Sequence, residues 1–276
     1  MASFDQNAEK NLQLSHARPD YVLEVKDLSL SYGDEDIVKH VNLQIQPGEV
    51  LCIAGESGCG KSTLLKAIHG MDAVNVTGGC VCFEGKNLKG LNKRELRSLM
   101  GTGIGLIPQN PQGSFNPLRT FEVQMKETMA SHGLPFDPDE MVQLMESMGL
   151  PQGKKLLKSR PFELSGGMNQ RVAIVFSLLL KPSVLLCDEI TSALDVMSGQ
   201  NVIDEIESYA SHSNAAIIMV THHLGIADRI ADTVAVMNHG EIVEYGSKDQ
   251  VLHDPADSYT RMLLEKIPRI RREAAS

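Results

Sequence analysis

The sequence predicts an α/β fold: a mostly parallel sheet with crossover helices, a small N-terminal antiparallel β subdomain and an inserted helical subdomain. Three observations point there. Short apolar runs, 50–54, 104–107, 183–187, 215–220 and 233–237, are spaced by helical stretches, the mark of buried parallel strands. The segments 21–32 and 41–46 instead alternate apolar and polar residues, the mark of strands with one wet face. Between 110 and 164 no strand pattern occurs.

The elements follow in order. Residues 1–20 are polar, charged and without periodicity, so they read as a flexible leader. Val22 to Tyr32 and Val41 to Gln46 alternate, and Pro47-Gly48 turns the chain into the run 50–54. A glycine-rich turn leads to a helix over 61–70, a strand over 80–84 and a helix over 92–100. The strand 104–107 stops at Pro108. The stretch 109–120 is rich in Pro, Asn and Gly and reads as an irregular loop. Helices follow over 121–132 and 137–149, the second capped by Asp137. A long helix is expected over 165–180, with others over 197–210, 224–230 and 258–266. The main domain is therefore placed at 21–266, with the helical insertion at about 110–164. Residues 267–276 carry Arg269, Arg271 and Arg272 and read as a basic tail.

Composition narrows the function classes. The 276 residues are 42% hydrophobic, enough for a buried core. Lys plus Arg is 26 against 35 for Asp plus Glu, a net charge of -9, which argues against a chain that coats nucleic acid. A local pocket for a phosphate compound remains compatible with that balance. The longest apolar stretch, 172–180, is far too short to span hydrocarbon. The polar N-terminus has no apolar core of the secretory type. Five cysteines without CxxC spacing read as reduced thiols in the cytosol. Cys80 and Cys82 share one face of a strand, but two ligands do not close a metal site. His222 and His223, taken as neighbours on a strand, are expected on opposite faces and so not around one ion.

Three motifs carry chemistry. Gly55-Glu-Ser57-Gly58-Cys59-Gly60-Lys61-Ser62 matches G-x-x-x-x-G-K-[ST], after a buried strand and before a helix. Its glycines let successive N–H groups converge on an anion, and the following helix adds its positive end. Lys61 brings a full charge for the β- and γ-phosphates, and Ser62 a hydroxyl for Mg²⁺. The second motif is an apolar strand ending in Asp188-Glu189. Asp188 is suited to hold Mg²⁺ and Glu189 to polarise a water attacking the γ-phosphate. The third, Leu164-Ser165-Gly166-Gly167, opens a long apolar helix. A helix cap explains Ser165 alone, but not two adjacent glycines, which leave the backbone open to an anion.

In this order the three motifs resemble those of the nucleotide-binding subunits of ABC transporters, over about residues 22 to 266. The resemblance implies a P-loop ABC ATPase core and an ATPase that uses ATP and Mg²⁺. It implies nucleotide contacts from Tyr32, stacking on adenine, and from Gly55, Ser57, Gly58, Cys59, Gly60, Lys61, Ser62 and Thr63. It makes Gln109 the glutamine that senses Mg²⁺ and the attacking water, and His222 the switch histidine at the γ-phosphate. Catalysis then falls to Glu189, His222 and Gln109, and the metal to Ser62, Gln109 and Asp188. Ser192-Ala-Leu-Asp195 resembles the loop that communicates across a dimer, and the Ser165, Gly166 and Gly167 turn of a second subunit would cover the γ-phosphate.

Two stretches narrow the group. The segment 109–120, QNPQGSFNPLRT, resembles QxPxxxxNPxxT of oligopeptide, dipeptide and nickel importers, and 254–268 resembles their C-terminal extension. The resemblance implies a second ATP-binding subunit, with a heterodimer favoured, and two membrane permease subunits. It implies indirect work with an extracytoplasmic solute-binding protein, and a peripheral place on the cytoplasmic face of the membrane. Nucleic acid is not an expected partner. The sequence departs from the usual pattern at Cys59 (usually Ser), Ile190 (usually Pro) and His223 (commonly Asp), and none of these removes an expected catalytic group. The Cys59 thiol, at a helix start beside Lys61, is a candidate for alkylation with loss of activity and protection by nucleotide. A soluble ABC ATPase in a non-transport assembly, such as a carbon–phosphorus lyase complex, stays open as the alternative.

Overall fold

The computed structural model describes residues 21–70, 74–192 and 194–266. The leader and the basic tail placed at 1–20 and 267–276 lie outside the described residues. Two sheets organise the rest. The strands β1 (Leu23–Tyr32), β2 (Glu35–Ile45), β4 (Asn75–Phe83) and β5 (Lys86–Asn87) form an antiparallel sheet in the order β2-β1-β4-β5. The second sheet holds β3 (Val50–Ala54), β6 (Ile104–Ile107), β7 (Val184–Asp188), β8 (Ala216–Thr221), β9 (Thr233–Asn238) and β10 (Glu241–Ser247), ordered β10-β9-β3-β8-β7-β6. Its pairings are parallel except for β10 against β9.

Ten α-helices connect these strands among the described residues. They are α1 (Lys61–Ile68), α2 (Lys93–Leu99), α3 (Phe121–Ser131), α4 (Pro138–Ser147), α5 (Gly153–Leu157), α6 (Gly166–Leu179), α7 (Val196–Ser213), α8 (Leu224–Ile230), α9 (Lys248–His253) and α10 (Ser258–Glu265). Their starts follow from local chemistry: Asn92, Thr120, Asp137, Ser165, Asp195, Ser247 and Asp257 each cap a first turn with a side-chain oxygen. Among the described residues no helix is long and apolar enough to cross a membrane.

The period of two along the parallel strands builds two cores. On β3, Val50, Cys52 and Ala54 pack with α6, α7 and the helical insertion. Leu51 and Ile53 point the other way, into a core shared with α1 and the antiparallel sheet. Burial pushes the Cys52 thiol up to about 12 and raises Cys187 further in the same direction. The insertion is fastened by aromatic edges: the Phe115 ring lies 5.2 Å from both Phe121 and Phe176, close to perpendicular to each. Arg171 adds bonds from Nη1 to the Met148 and Gly149 carbonyls, at 3.2 and 2.8 Å.

The structure extends the expected elements, β2 beginning at Glu35 rather than at Val41, and adds others. The strand expected over 80–84 begins at Asn75, because Gly78 and Gly79 lie in the ladder beside a register shift in β1. The strand β10 and helix α9 and the short helix α5 had no counterpart in the sequence pattern.

Candidate functional site

The parallel pairing brings four strand ends to one edge, where an open α/β sheet places its ligands. Beyond β3 comes the glycine loop, beyond β6 Gln109, at the end of β7 Asp188 and Glu189, and beyond β8 His222. Register fixes the alignment: Ala54 sits across from Thr221, Asp188 from Val220, and Ile107 from Cys187.

At two positions of the loop a positive φ and a close backbone contact together demand glycine. Gly55 has φ +155, and a Cβ there would lie 2.2 Å from the Met237 carbonyl oxygen. Gly60, the residue before α1, has φ +109, and a Cβ would lie 2.9 Å from the Ile37 oxygen. Lys61 is buried, and its ammonium donates to the Gly55 and Glu56 carbonyls at 2.8 and 2.7 Å, with the Cys59 sulfur at 3.7 Å. These acceptors are neutral, so the charge remains available to an anion.

Ser62 points from the first turn of α1 across to β7, where its hydroxyl donates to Asp188 Oδ1 at 2.7 Å. Burial raises the Asp188 carboxyl, the Ser62 bond opposes that, and Glu189 beside it adds to the rise. The next residue turns away: Glu189 has φ +46, and its N–H donates to the Val220 oxygen at 3.0 Å. That turn delivers its Oε2 to Gln109, whose Nε2 donates at 3.0 Å, and to His222 Nδ1 at 3.4 Å. Ser57, Gly58, Gly60, Lys61, Ser62, Thr63, Gln109 and Glu189, with Ile37, line one cavity of about 330 Å³. A backbone loop around a buried ammonium, facing a hydroxyl–carboxylate pair, fits a magnesium-bound polyphosphate.

The remaining sequence-derived residues are distributed around this centre. Tyr32 ends β1 with 42% of its surface exposed and does not line the cavity. Ser165 caps α6, its hydroxyl accepting the Met168 N–H at 3.3 Å; Gly166 and Gly167 open the helix, and none of the three lines the cavity. Asp195 caps α7 by accepting the Ser198 N–H at 2.9 Å and its hydroxyl at 2.7 Å, bonds that hold its carboxyl below the usual range. It lines a larger groove of about 1100 Å³ that also reaches Gly55, Ser57, His222 and His223. The expectation that His222 and His223 face apart is corrected: β8 ends at Thr221, so strand alternation no longer applies, and the two rings lie 4.1 Å apart. Burial and the neighbouring His222 lower His223. Ile190 is a core residue. Cys80 and Cys82 do share a face, with their sulfurs 3.9 Å apart.

Sequence reasoning missed Ile37 in the cavity wall and missed the C-terminal helix at the loop. Tyr259 of α10 accepts the Glu56 N–H at 3.2 Å through its hydroxyl. No local signal marks a partner 203 residues away.

Comparison with known proteins agrees with this geometry. The family model described as "ABC transporter" matches residues 38–192. The oligopeptide transport ATP-binding protein OppD of Bacillus subtilis (strain 168) is 37% identical over 259 residues, covering 90% of this chain and 72% of that one. The metal-staphylopine import system ATP-binding protein CntD of Staphylococcus aureus (strain NCTC 8325 / PS 47) is 35% identical over 256 residues, covering 90% of this chain and 94% of its own. Among solved structures, the dimeric post-hydrolysis state of the ATP-binding cassette MJ0796 bound to ADP and Pi superposes with a TM-score of 0.73 at 26% identity, over 82% of this chain and 98% of that one.

Proposed function

The chain belongs to the ABC transporter family and is an ATPase that binds ATP with Mg²⁺, and on that premise we propose that it powers an importer of oligopeptides, dipeptides, nickel or metal-chelate complexes. The observation that carries the catalytic part is that Lys61, Ser62, Gln109 and Glu189 line one cavity, with Asp188 bonded to Ser62 and His222 beside Glu189. The names of the relatives, oligopeptide transport and metal-staphylopine import, support the transport part.

In this reading the loop N–H groups of Ser57, Gly58, Cys59 and Gly60, with Gly55 as the hinge, surround the phosphates. Lys61 moves its ammonium from the loop carbonyls to the β- and γ-phosphates, and Thr63 adds a hydroxyl. Ser62, Asp188 and Gln109 hold the metal, which when bound neutralises charge developing on the transferred phosphoryl group. Glu189 takes the proton of the attacking water, oriented by Gln109, and His222 touches the γ-phosphate. Tyr32 stacks on adenine. The Ser165, Gly166 and Gly167 turn of a second subunit closes the site, and Asp195 speaks across the pair. Val196 and Met197, apolar and exposed next to Asp195, support a shared site.

The partners follow: a second ATP-binding subunit, a related but different chain being favoured, two permease subunits, and indirectly an extracytoplasmic solute-binding protein. The chain then sits peripherally on the cytoplasmic face of the membrane. The domain limits 21–266, with the insertion at 110–164, fit a helical lever, and exposed Leu118 and Phe162 offer it an apolar contact for a permease. Purification from membranes under mild detergent decides between transport and the carbon–phosphorus lyase type of assembly, a role that none of the relatives named above carries. Recovery with two hydrophobic permeases is expected. Recovery only with soluble partners would overturn the transport reading.

A further inference from the structure

The C-terminal segment holds Glu56 of the phosphate loop twice. Lys266, just beyond α10, places its ammonium 2.6 Å from Glu56 Oε1, and Tyr259 accepts the Glu56 N–H at 3.2 Å. The sequence separations are 210 and 203 residues, so these contacts exist only because α10 folds back over the loop. On its other side the Glu56 carbonyl accepts a bond from Lys61 at 2.7 Å. Glu56 thus links the C-terminal helix to the ammonium meant for phosphate.

Charge makes the arrangement more than a tether. Glu56 precedes Ser57, which lines the phosphate cavity, and is the one carboxylate inside the 55–62 loop. A bare negative charge there repels an incoming triphosphate, a solvent-screened repulsion that is strongest at low ionic strength. Lys266 cancels that charge, and it holds the Glu56 carboxyl below the usual carboxylate range, with His239 adding a weaker pull. Both partners are more than half exposed, so the pair contributes little to folding stability. Its placement makes sense as electrostatics of binding.

We propose that Lys266 and Tyr259 are positioning residues for the phosphate loop: Lys266 neutralises Glu56 so that the loop accepts nucleotide, and Tyr259 fixes the Glu56 backbone. The inference rests on the reading that this loop receives ATP. It assigns to the C-terminal helix a share in nucleotide affinity, separate from any contact with other subunits.

A double-mutant cycle on the full chain, with MgATP affinity read by equilibrium titration, tests it. Lys266→Met should weaken MgATP binding about threefold to tenfold at low ionic strength, with the gap narrowing as salt is raised. The steady-state KM should rise by the same factor at unchanged kcat. Lys266→Arg should bind like the parent. Removing the uncompensated carboxylate as well, in Glu56→Gln/Lys266→Met, should restore parental affinity. Thermal midpoints should stay within about 2 °C of the parent throughout, as expected of an exposed pair. Parental affinity in Lys266→Met, or a double variant as weak as Lys266→Met alone, overturns the proposal. A parent that binds no MgATP overturns instead the reading on which it rests.

Discussion

Replacing Ser62 by alanine separates stability from catalysis, because the hydroxyl serves a buried carboxylate before any ligand arrives. Its bond to Asp188 Oδ1 is 2.7 Å long, and Asp188 is 6% exposed. A hydrogen bond to a charged group contributes about 1.5–3 kcal/mol, and removing the donor leaves the carboxylate short of a partner. For a chain of this size that is a fall in Tm of about 3–10 °C. The pH dependence has a fixed sign. Burial raises the folded-state pKa of Asp188 above its unfolded value, so its ionisation already works against the fold as pH rises. Loss of Ser62 raises it further, so the extra penalty grows above the folded-state pKa. It shrinks toward pH 4, because falling pH protonates the raised folded-state carboxyl first, while the unfolded group, with its pKa of about 3.9, is still roughly half ionised. What remains there is a neutral hydrogen bond of about 0.5–1.5 kcal/mol. Thermal melts of Ser62→Ala and parent, free of nucleotide and metal, at pH 8 and pH 4 measure this directly. Equal melting of both proteins at pH 8, or the same deficit at both pH values, refutes the reasoning.

Glu189→Gln keeps the contact to Gln109 but cannot take a proton, so phosphate release should slow about 10²- to 10⁴-fold while MgATP still binds; turnover at the parental rate sinks the assignment of the base. Lys61→Ala removes the buried ammonium, and nucleotide affinity should drop about 10- to 100-fold by titration, the worth of a charge-assisted bond. Cys59 is 8% exposed and packs against Lys61, so a maleimide should react slowly, abolish ATPase activity in proportion to the adduct seen by mass spectrometry, and react more slowly still with MgATP present. A fully modified chain that still hydrolyses ATP disproves that link.

What the sequence made legible shares one property: it is written locally. The glycine loop, the Asp188-Glu189 strand end and the Ser165 cap each fit within about ten residues, and the structure places them before α1, at the end of β7 and at the start of α6. The buried parallel strands were readable for the same reason, since both faces of β3, β7 and β8 are covered and the runs are apolar throughout. The strand β10 escaped because it is an antiparallel edge with half-buried and exposed residues mixed, so neither alternation nor an apolar run marks it. The beginning of β4 escaped because Gly78 and Gly79 have no side chains to carry a strand pattern, although they lie in the sheet. His222 and His223 were misplaced by one assumption, that the strand continues past Thr221. The bonds of Tyr259 and Lys266 to Glu56 lie beyond any window, because more than two hundred residues separate the partners.

The backbone at Glu189 shows why two adjacent acids can divide one reaction. In a continuing strand, successive side chains would point to opposite faces, and only one of Asp188 and Glu189 would meet the phosphate loop. The chain instead leaves β7 in a left-handed conformation at Glu189, φ +46, which disfavours a residue with a Cβ by about 1–2 kcal/mol. Its N–H stays anchored to Val220, so the strand end does not unravel. The turn leaves Asp188 buried against Ser62 and swings Glu189 toward Gln109 and His222. One carboxylate is thereby left against the Ser62 hydroxyl and the other, only partly buried, beside Gln109 and His222, which fits the proposed division between metal and water. Glycine would relieve the strain but supply no carboxylate. The bonds to Val220 and Gln109 over-determine the turn, and it suits the proposed chemistry, in which one acid faces Ser62 and the other lines the cavity.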